Sequence, residues 1–342
     1  MKKSLLALAV LGAFAGVASA QSSVTLSGTV DVNGRYVKND TQERRVSLST
    51  DGINSSQLVF SGREDLGGGL WAGFNLNAGH NPDTGTSNSK FWNRRSTVSL
   101  GGNFGEVRLG RDYTPTFWNT TIFDAFGTNG LGSSLNPIQL FTGTLVRADN
   151  SITYWLPPNI GGIYGEVMVA ASENAATNPG RYVGGRVGFA AGPFDVAVAF
   201  GQQRLDLTPG QPQEKSFNIG GAYDFGVVKL LGWFNRQTLS TTGIDLKDNQ
   251  YSISVVVPIG QGEIHAGYDR SKLTNSVANT SNSINQFAVG YVYNLSKRTA
   301  LYTTFARLSN GNGSAVGLSG GNGNTGLGGK SSGAEFGLRH FF

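Results

Sequence analysis

The chain has 342 residues, 27 basic and 22 acidic, and its net charge of +5 is too small to indicate a nucleic-acid-binding protein. It has no cysteine, which excludes disulfides as a source of stability. Its 50 glycines, 20 phenylalanines and 11 tyrosines, in stretches where apolar and polar residues alternate, are typical of β-structure rather than of a soluble helical enzyme.

The first twenty residues have the pattern of a secretory signal peptide. Two lysines precede an apolar run from Leu5 to Val17, and the small residues Ala18-Ser19-Ala20 follow. This run is shorter than the roughly 20 residues that a membrane-spanning helix needs, which argues against the alternative of a membrane anchor. We therefore predict a signal peptide over residues 1–20 and a mature chain over residues 21–342. No later apolar run reaches spanning length, so a helical membrane protein is excluded.

Beyond Ala20, period-2 alternation recurs along the whole chain, beginning with Val24 to Val32 and ending with Ala334 to Phe342. The connections between these segments alternate in length. Seven are short turns rich in Gly, Pro, Asn and Ser. Eight are long and polar, near residues 39–45, 81–91, 113–145, 174–180, 205–214, 240–248, 272–283 and 309–331. Seven short turns and eight long loops predict sixteen strands.

An even number of antiparallel strands, with short turns at one end and long loops at the other, is typical of a transmembrane β-barrel. A membrane leaves no water to satisfy an open sheet edge, so the first and last strands must pair. We predict that Phe336 and Phe342 lie on the lipid side of the last strand, with Phe342 in the aromatic girdle. The alternative, a secreted β-sandwich or solenoid, would bury its apolar face internally and would not predict sixteen hairpin-connected strands.

Four segments resemble the Gram-negative trimeric general porins, most closely the betaproteobacterial type. They are Gly62 to Leu70 (GREDLGGGL), Arg94 to Asp112 (RRSTVSLGGNFGEVRLGRD), Tyr293 to Tyr302 (YNLSKRTALY) and Gly337 to Phe342 (GLRHFF). The resemblance implies an outer-membrane homotrimer in contact with lipid and lipopolysaccharide, with the loop over residues 81–91 as an inter-subunit latch. It also implies that Phe342 belongs to a signal read by the outer-membrane assembly machinery.

The same resemblance implies that the third long loop, residues 113–145, folds into the barrel and narrows it. Its composition agrees, because a loop on the outer surface has no reason to be this apolar. The apolar residues in question are Phe117, Trp118, Ile122, Phe123, Phe126, Leu131 and Phe141. An alternative is that the loop contacts the surface of a neighbouring subunit.

Alternation also predicts which charges face the lumen. In the fourth predicted strand Val98 and Leu100 face lipid, which places Arg95 in the lumen, while Arg94 points outward or curls around the strand end. In the sixth predicted strand the same parity places Arg147 and Asp149 in the lumen, where pairing between wall charges is an alternative to a role in selectivity. The resemblance implies that arginines of these two strands form the basic side of a constriction, without deciding between Arg94 and Arg95.

Two positions that are charged in some porins are neutral in this chain. A basic position corresponds to Gln57, and an acidic one corresponds to Asn77. Within the apolar loop Asp124 is the one internal acid, and we predict it as the counter-charge to the arginines. Since two inward arginines face one aspartate, we predict a water-filled pore with a modest preference for anions.

No feature predicts an enzyme, and no cofactor or metal is expected. Gly329 to Gly333 matches G-x-S-x-G but has no following helix, so the nucleophile-elbow context fails. The three histidines show no metal-ligand spacing. We therefore predict passive diffusion of ions and small hydrophilic solutes. The alternatives are a channel specific for an organic anion, a plugged barrel acting as an adhesin or structural anchor, and an outer-membrane lipase.

Overall fold

The computed structural model describes residues 23–140, 146–173, 180–205, 212–241 and 243–342. The predicted signal peptide and Phe141 lie outside this part of the chain. The described elements are β1 (Ser23–Asn39), β2 (Arg45–Thr50), β3 (Gln57–Gly67), β4 (Leu70–Asn81), β5 (Thr86–Ser87), β6 (Arg95–Gly102), β7 (Gly105–Tyr113), α1 (Pro115–Ile122), β8 (Arg147–Trp155), β9 (Ile163–Ala170), β10 (Tyr182–Ala191), β11 (Phe194–Arg204), β12 (Gln213–Asp224), β13 (Lys229–Thr241), β14 (Ile244–Ile259), β15 (Gly262–Asn275), β16 (Thr280–Asn294), β17 (Thr299–Asn310) and β18 (Lys330–Phe341).

These strands form one antiparallel sheet that closes on itself, because β1 pairs with β18. At the seam Gly28 and Phe342 exchange both backbone hydrogen bonds, at 3.0 and 3.1 Å between nitrogen and oxygen. The wall has sixteen strand positions: β2 and β3 both pair with β1, one after the other, and β5 pairs only with β4. The predicted sixteen-stranded barrel is confirmed.

The two faces of the wall are inverted relative to a water-soluble protein. Along β1 all buried side chains except Val37 are polar, among them Asp31 and Asn33, whereas Val24 and Leu26 are exposed. The same inversion holds in β6, where Thr97 and Ser99 are buried and Val98 and Leu100 are exposed. An apolar outer face and a polar interior, alternating residue by residue, require hydrocarbon outside the wall. Phe336 and Phe342 both lie on this outer face, as predicted.

All seven predicted short turns connect consecutive strands at one end of the barrel, but two predicted long loops are mostly strand. Residues 240–248 belong largely to β13 and β14, and residues 272–283 largely to β15 and β16. The polar residues in these segments predicted loops, yet they continue the antiparallel ladder, with Ser240 opposite Asp245 and Asn275 opposite Thr280. Above the membrane a strand needs no apolar face, so its polar composition resembles that of a loop.

The third loop begins with the helix α1 and packs against the inner wall. Thr114 precedes Pro115, the first residue of the helix, and this order is favoured at a helix start. Phe123 is fully buried beside Gly220, where an added Cβ would lie 2.3 Å from the Phe123 Cδ2. Phe126 packs similarly beside two glycines of β15 and β16, Gly267 and Gly290. The predicted inward-folded loop is confirmed, and its phenylalanines fit where the wall lacks side chains.

The loop's apolar residues also form separate clusters with the wall. The largest contains Phe126 and Leu131 together with Val37, Ile284, Ala288, Ala306, Leu308 and Leu318. Within the described ranges, no helix is both long and apolar enough to cross a membrane.

Candidate pore constriction

Between α1, the third loop and the wall, a cavity of about 810 Å³ lies inside the barrel. Four arginines of the wall line it: Arg94, Arg95, Arg147 and Arg339. The carboxylates that line it are Asp124 and Glu263, and Glu263 is paired with His265 at 3.0 Å between Oε1 and Nε2. The cavity therefore has more basic than acidic side chains on its walls.

Arg94 and Arg147 meet at the hydroxyl of Tyr113, the last residue of β7. The Nη2 atoms of both arginines donate to this oxygen, at 3.0 Å from Arg94 and 2.9 Å from Arg147. The Arg147 guanidinium also lies 4.4 Å above the Tyr113 ring. The opposite face of the ring packs against Phe117 of α1, with 5.5 Å between ring centroids. The Tyr113 hydroxyl thus accepts hydrogen bonds from both Arg94 and Arg147. Among the described residues, neither arginine forms an ion pair with a carboxylate.

Arg95 has a different environment, although it also lines the cavity. Its Nε donates to Asp112 Oδ1 at 2.8 Å, and Arg108 Nη1 donates to the other oxygen of the same carboxylate at 2.7 Å. Arg108 additionally donates to Glu106 at 2.9 Å. Asp112 is only 1% exposed, so its charge is balanced locally by the two arginines. Most of the Arg95 charge is therefore compensated inside the wall.

The structure places Arg94 on the lumen side, beside Arg147. Alternation does not apply to it because β6 begins at Arg95, so Arg94 lies in the preceding turn and curls around the strand end. The sequence left two orientations open for Arg94, outward or curled around the strand end. The outward orientation is wrong.

The placement of Asp149 in the lumen is also wrong. Asp149 Oδ1 accepts from Arg111 Nη1 at 2.5 Å, and its other oxygen pairs with Lys90 of the second loop. The register of β7 and β8 shifts between Gly110 and Asp112, and Asn150 has a left-handed φ of 53°. This bulge interrupts the alternation, so Ala148 is buried, and Asp149, paired with Arg111 and Lys90, is not among the residues that line the cavity.

Asp124 lies on the cavity wall, but its carboxylate accepts hydrogen bonds from its own loop. It accepts hydrogen bonds from the backbone N–H groups of Phe126, Thr128 and Ser134, and from the Ser134 hydroxyl at 2.7 Å. Burial raises the pKa of Asp124, and these four hydrogen bonds act in the opposite direction. Asp124 therefore has a structural role in the loop. Its position in the sequence did not indicate this role.

Gln57 and Asn77 also line the cavity, on neighbouring strands. The Asn77 Nδ2 donates to the Gln57 Oε1 at 2.9 Å, so the two neutral side chains satisfy each other. They contribute a polar and uncharged part of the wall beside the arginines.

Sequence reasoning missed three contributors: Tyr113, Asp112 and Arg339. Two of them had a signal in the sequence: alternation places Asp112 on one face of β7 with Arg108, and places Arg339 on the face of β18 opposite to the exposed Phe336 and Leu338. Tyr113 is the last residue of β7, where the period of two stops being informative.

The closed wall, the inward loop and the charged cavity together define a β-barrel channel. A family model described as Gram-negative porin matches residues 7–313, and the chain belongs to this family. It is 39% identical to the outer membrane porin protein 32 of Delftia acidovorans over 360 residues, covering 100% of both chains. It is 30% identical to an outer membrane porin of Bordetella pertussis, over 93% of this chain and 98% of that protein.

A solved structure, an anion-selective porin from Comamonas acidovorans, superimposes with a TM-score of 0.85 at 37% identity, covering 94% of this chain and all of that one. OmpT, an outer membrane protein of Vibrio cholerae, shares the fold at 12% identity and a TM-score of 0.69. The protein is therefore an outer-membrane porin, a passive diffusion channel whose relatives are channels rather than enzymes.

Proposed function

We propose that this porin prefers anions, with Arg94 and Arg147 as the basic side of its constriction. The observation that supports this is the pairing of both guanidinium groups with a phenol rather than a carboxylate, at the wall of a cavity of about 810 Å³. An anion about 8 Å from one arginine gains roughly 0.5 to 2 kcal/mol for an effective dielectric between about 80 and 20. Salt screens this attraction, since the Debye length is about 8 Å at physiological ionic strength. The result is biased diffusion rather than tight binding.

The other predicted site residues have smaller roles in this proposal. Arg95 adds little charge because Asp112 compensates it, and Asp124 opposes the arginines weakly because four donors of its loop surround its carboxylate. Gln57 and Asn77 keep the adjacent wall polar without charge.

The test is the reversal potential of single channels in a planar bilayer under a KCl gradient. We expect chloride preference in the natural protein, and the double variant Arg94→Gln/Arg147→Gln should lose about twofold or more of its chloride-to-potassium permeability ratio. A matched control removes two outward arginines, Arg236→Gln/Arg270→Gln, which pair with Asn249 and Asn285 and are exposed. Cation preference in the natural protein would refute the proposal.

A solute series in the same recordings separates a general pore from a channel specific for one organic anion. A general pore passes small hydrophilic solutes with no saturation, whereas a specific channel shows a saturable block by its own substrate. The four arginines that line the cavity support selection by charge. They do not form a closed pocket that fits one solute.

We further propose a homotrimer in which the loop over residues 81–91 contacts the neighbouring subunit, and in which lipid and lipopolysaccharide surround the assembly. Two features of this region support it: Phe91 is exposed, and Trp92 packs edge-on against the outward-facing Phe60 with 6.1 Å between ring centroids. Deletion of residues 83–89 is expected to convert the unheated trimer band on a detergent gel to monomer. A trimer of unchanged heat resistance would contradict the latch.

Phe342 is proposed as part of the signal for the assembly machinery, and cleavage is proposed after Ala20. Phe342 both closes the seam with Gly28 and exposes its ring on the outer face. Substitution Phe342→Ala preserves the two backbone hydrogen bonds, so a loss of membrane insertion in cells with normal refolding in detergent would assign Phe342 to recognition rather than to stability.

A further inference from the structure

A second segment projects into the barrel beside the third loop. Residues 51–56, between β2 and β3, leave the wall and form a turn that is hydrogen-bonded to the carboxylate of Asp31. Its oxygens accept from the backbone N–H groups of Gly52, Ile53 and Asn54, at 3.1, 3.0 and 2.8 Å. Asp31 itself is completely buried. Three amide donors on one buried carboxylate fix the position of this inward turn.

The inward turn contacts both the third loop and the last strand. Ser55 Oγ donates to Asn129 Oδ1 of the third loop at 2.8 Å. On the other side, Arg339 Nη1 of β18 donates to Asn54 Oδ1 at 3.1 Å. The Arg339 guanidinium also lies 4.1 Å above the ring of Phe341. Asn54 and Phe341 therefore orient the guanidinium where it lines the same cavity as Arg94 and Arg147.

Arg339 is half-buried and has no ion pair within 4.0 Å among the described residues. Its Nε is buried without a hydrogen-bond partner there. The nearby acids Asp31 and Glu263 interact with Arg339 electrostatically but form no ion pair with it, since Glu263 pairs with His265 and Asp31 accepts from the amides of the turn. Around the wall, β18 stands four strand positions from β6 and six from β8, so Arg339 faces the cavity from a different side than the two arginines on Tyr113.

We propose that Arg339 is a further specificity-determining residue of the pore, positioned by Asn54 on the turn that Asp31 fixes. An anion in the cavity then lies between two basic positions rather than against one wall. The inference rests on the proposed anion preference and assigns part of that preference to a residue outside the arginine pair on Tyr113.

Reversal potentials under a KCl gradient test this with four variants and one outward control. Arg339→Gln is expected to lower the chloride-to-potassium permeability ratio by about twofold, Arg339→Lys to retain it, and the outward control Arg236→Gln to leave it unchanged. Asn54→Asp keeps an acceptor but pairs Arg339 with a carboxylate, so it should lower the ratio as Arg339→Gln does. Asn54→Ala removes the acceptor and leaves the charge, so it should lower the ratio much less.

The Asn54 pair keeps the test decisive if Arg339→Gln fails to assemble, because neither of those variants alters the last strand. An anion-selective natural protein with unchanged ratios in Arg339→Gln and Asn54→Asp would overturn the role of Arg339 alone. A natural protein without anion preference would overturn the proposed function, and this inference would fall with it.

Discussion

Two groups of arginines lie side by side in the wall, and their partners give them different roles. Arg95 and Arg108 share the buried carboxylate of Asp112, and Arg108 also pairs with Glu106, so the two positive charges are balanced by two negative ones. Arg94 and Arg147 share the hydroxyl of Tyr113, which orients them without neutralising them. The comparison predicts that an inward arginine contributes to selectivity when its partner is neutral.

The largest effect is expected from Asp112→Asn, which removes the shared carboxylate. Arg95 loses its carboxylate partner and Arg108 keeps only Glu106, and breaking a buried ion pair of this kind costs about 3–5 kcal/mol. We expect a markedly lower midpoint of thermal unfolding in detergent, together with a higher chloride-to-potassium ratio in the channels that fold. An unchanged midpoint would show that the Asp112 network contributes little to the wall.

A smaller loss of stability is expected from Arg95→Gln, because Asp112 keeps Arg108 as a partner. The lost charge-assisted hydrogen bond corresponds to about 1.5–3 kcal/mol. The change in reversal potential should be smaller than that caused by Arg147→Gln, since Arg95 is already compensated. An equal or larger change in selectivity would remove the distinction between the two groups.

The smallest effect is expected from Tyr113→Phe, which keeps the ring beneath Arg147 and removes only the hydroxyl. Both positive charges remain in the cavity, so we expect the permeability ratio to stay within about twofold of the natural protein. Less restrained arginines should increase the open-channel current noise. A full loss of anion preference would mean that orientation by the hydroxyl, not charge alone, sets selectivity.

The barrel could be predicted from the sequence because its wall depends on one rule, the alternation of lipid-facing and lumen-facing residues, repeated sixteen times. The loop's inward course was implied by the resemblance to porins, and its apolar composition agreed with it. The site was harder to predict, because alternation stops near some of its residues. Arg94 precedes its strand, and a bulge at Asn150 interrupts the alternation at Asp149, which does not line the cavity. The local pairing of Asp124 and the turn at residues 51–56 depend on backbone N–H groups, which no side-chain pattern reveals.

Because Gly28 and Phe342 are hydrogen-bonded, the barrel wall is continuous, and no strand in it is structurally the first. Every other neighbouring pair of strands in the wall is joined by a connection of the chain, whereas this pair is joined only by its ladder. A circular permutant, opened at the turn over residues 295–298 and carrying a short linker between the present ends, is therefore expected to rebuild the same wall, with the break moved to a different place on the circumference.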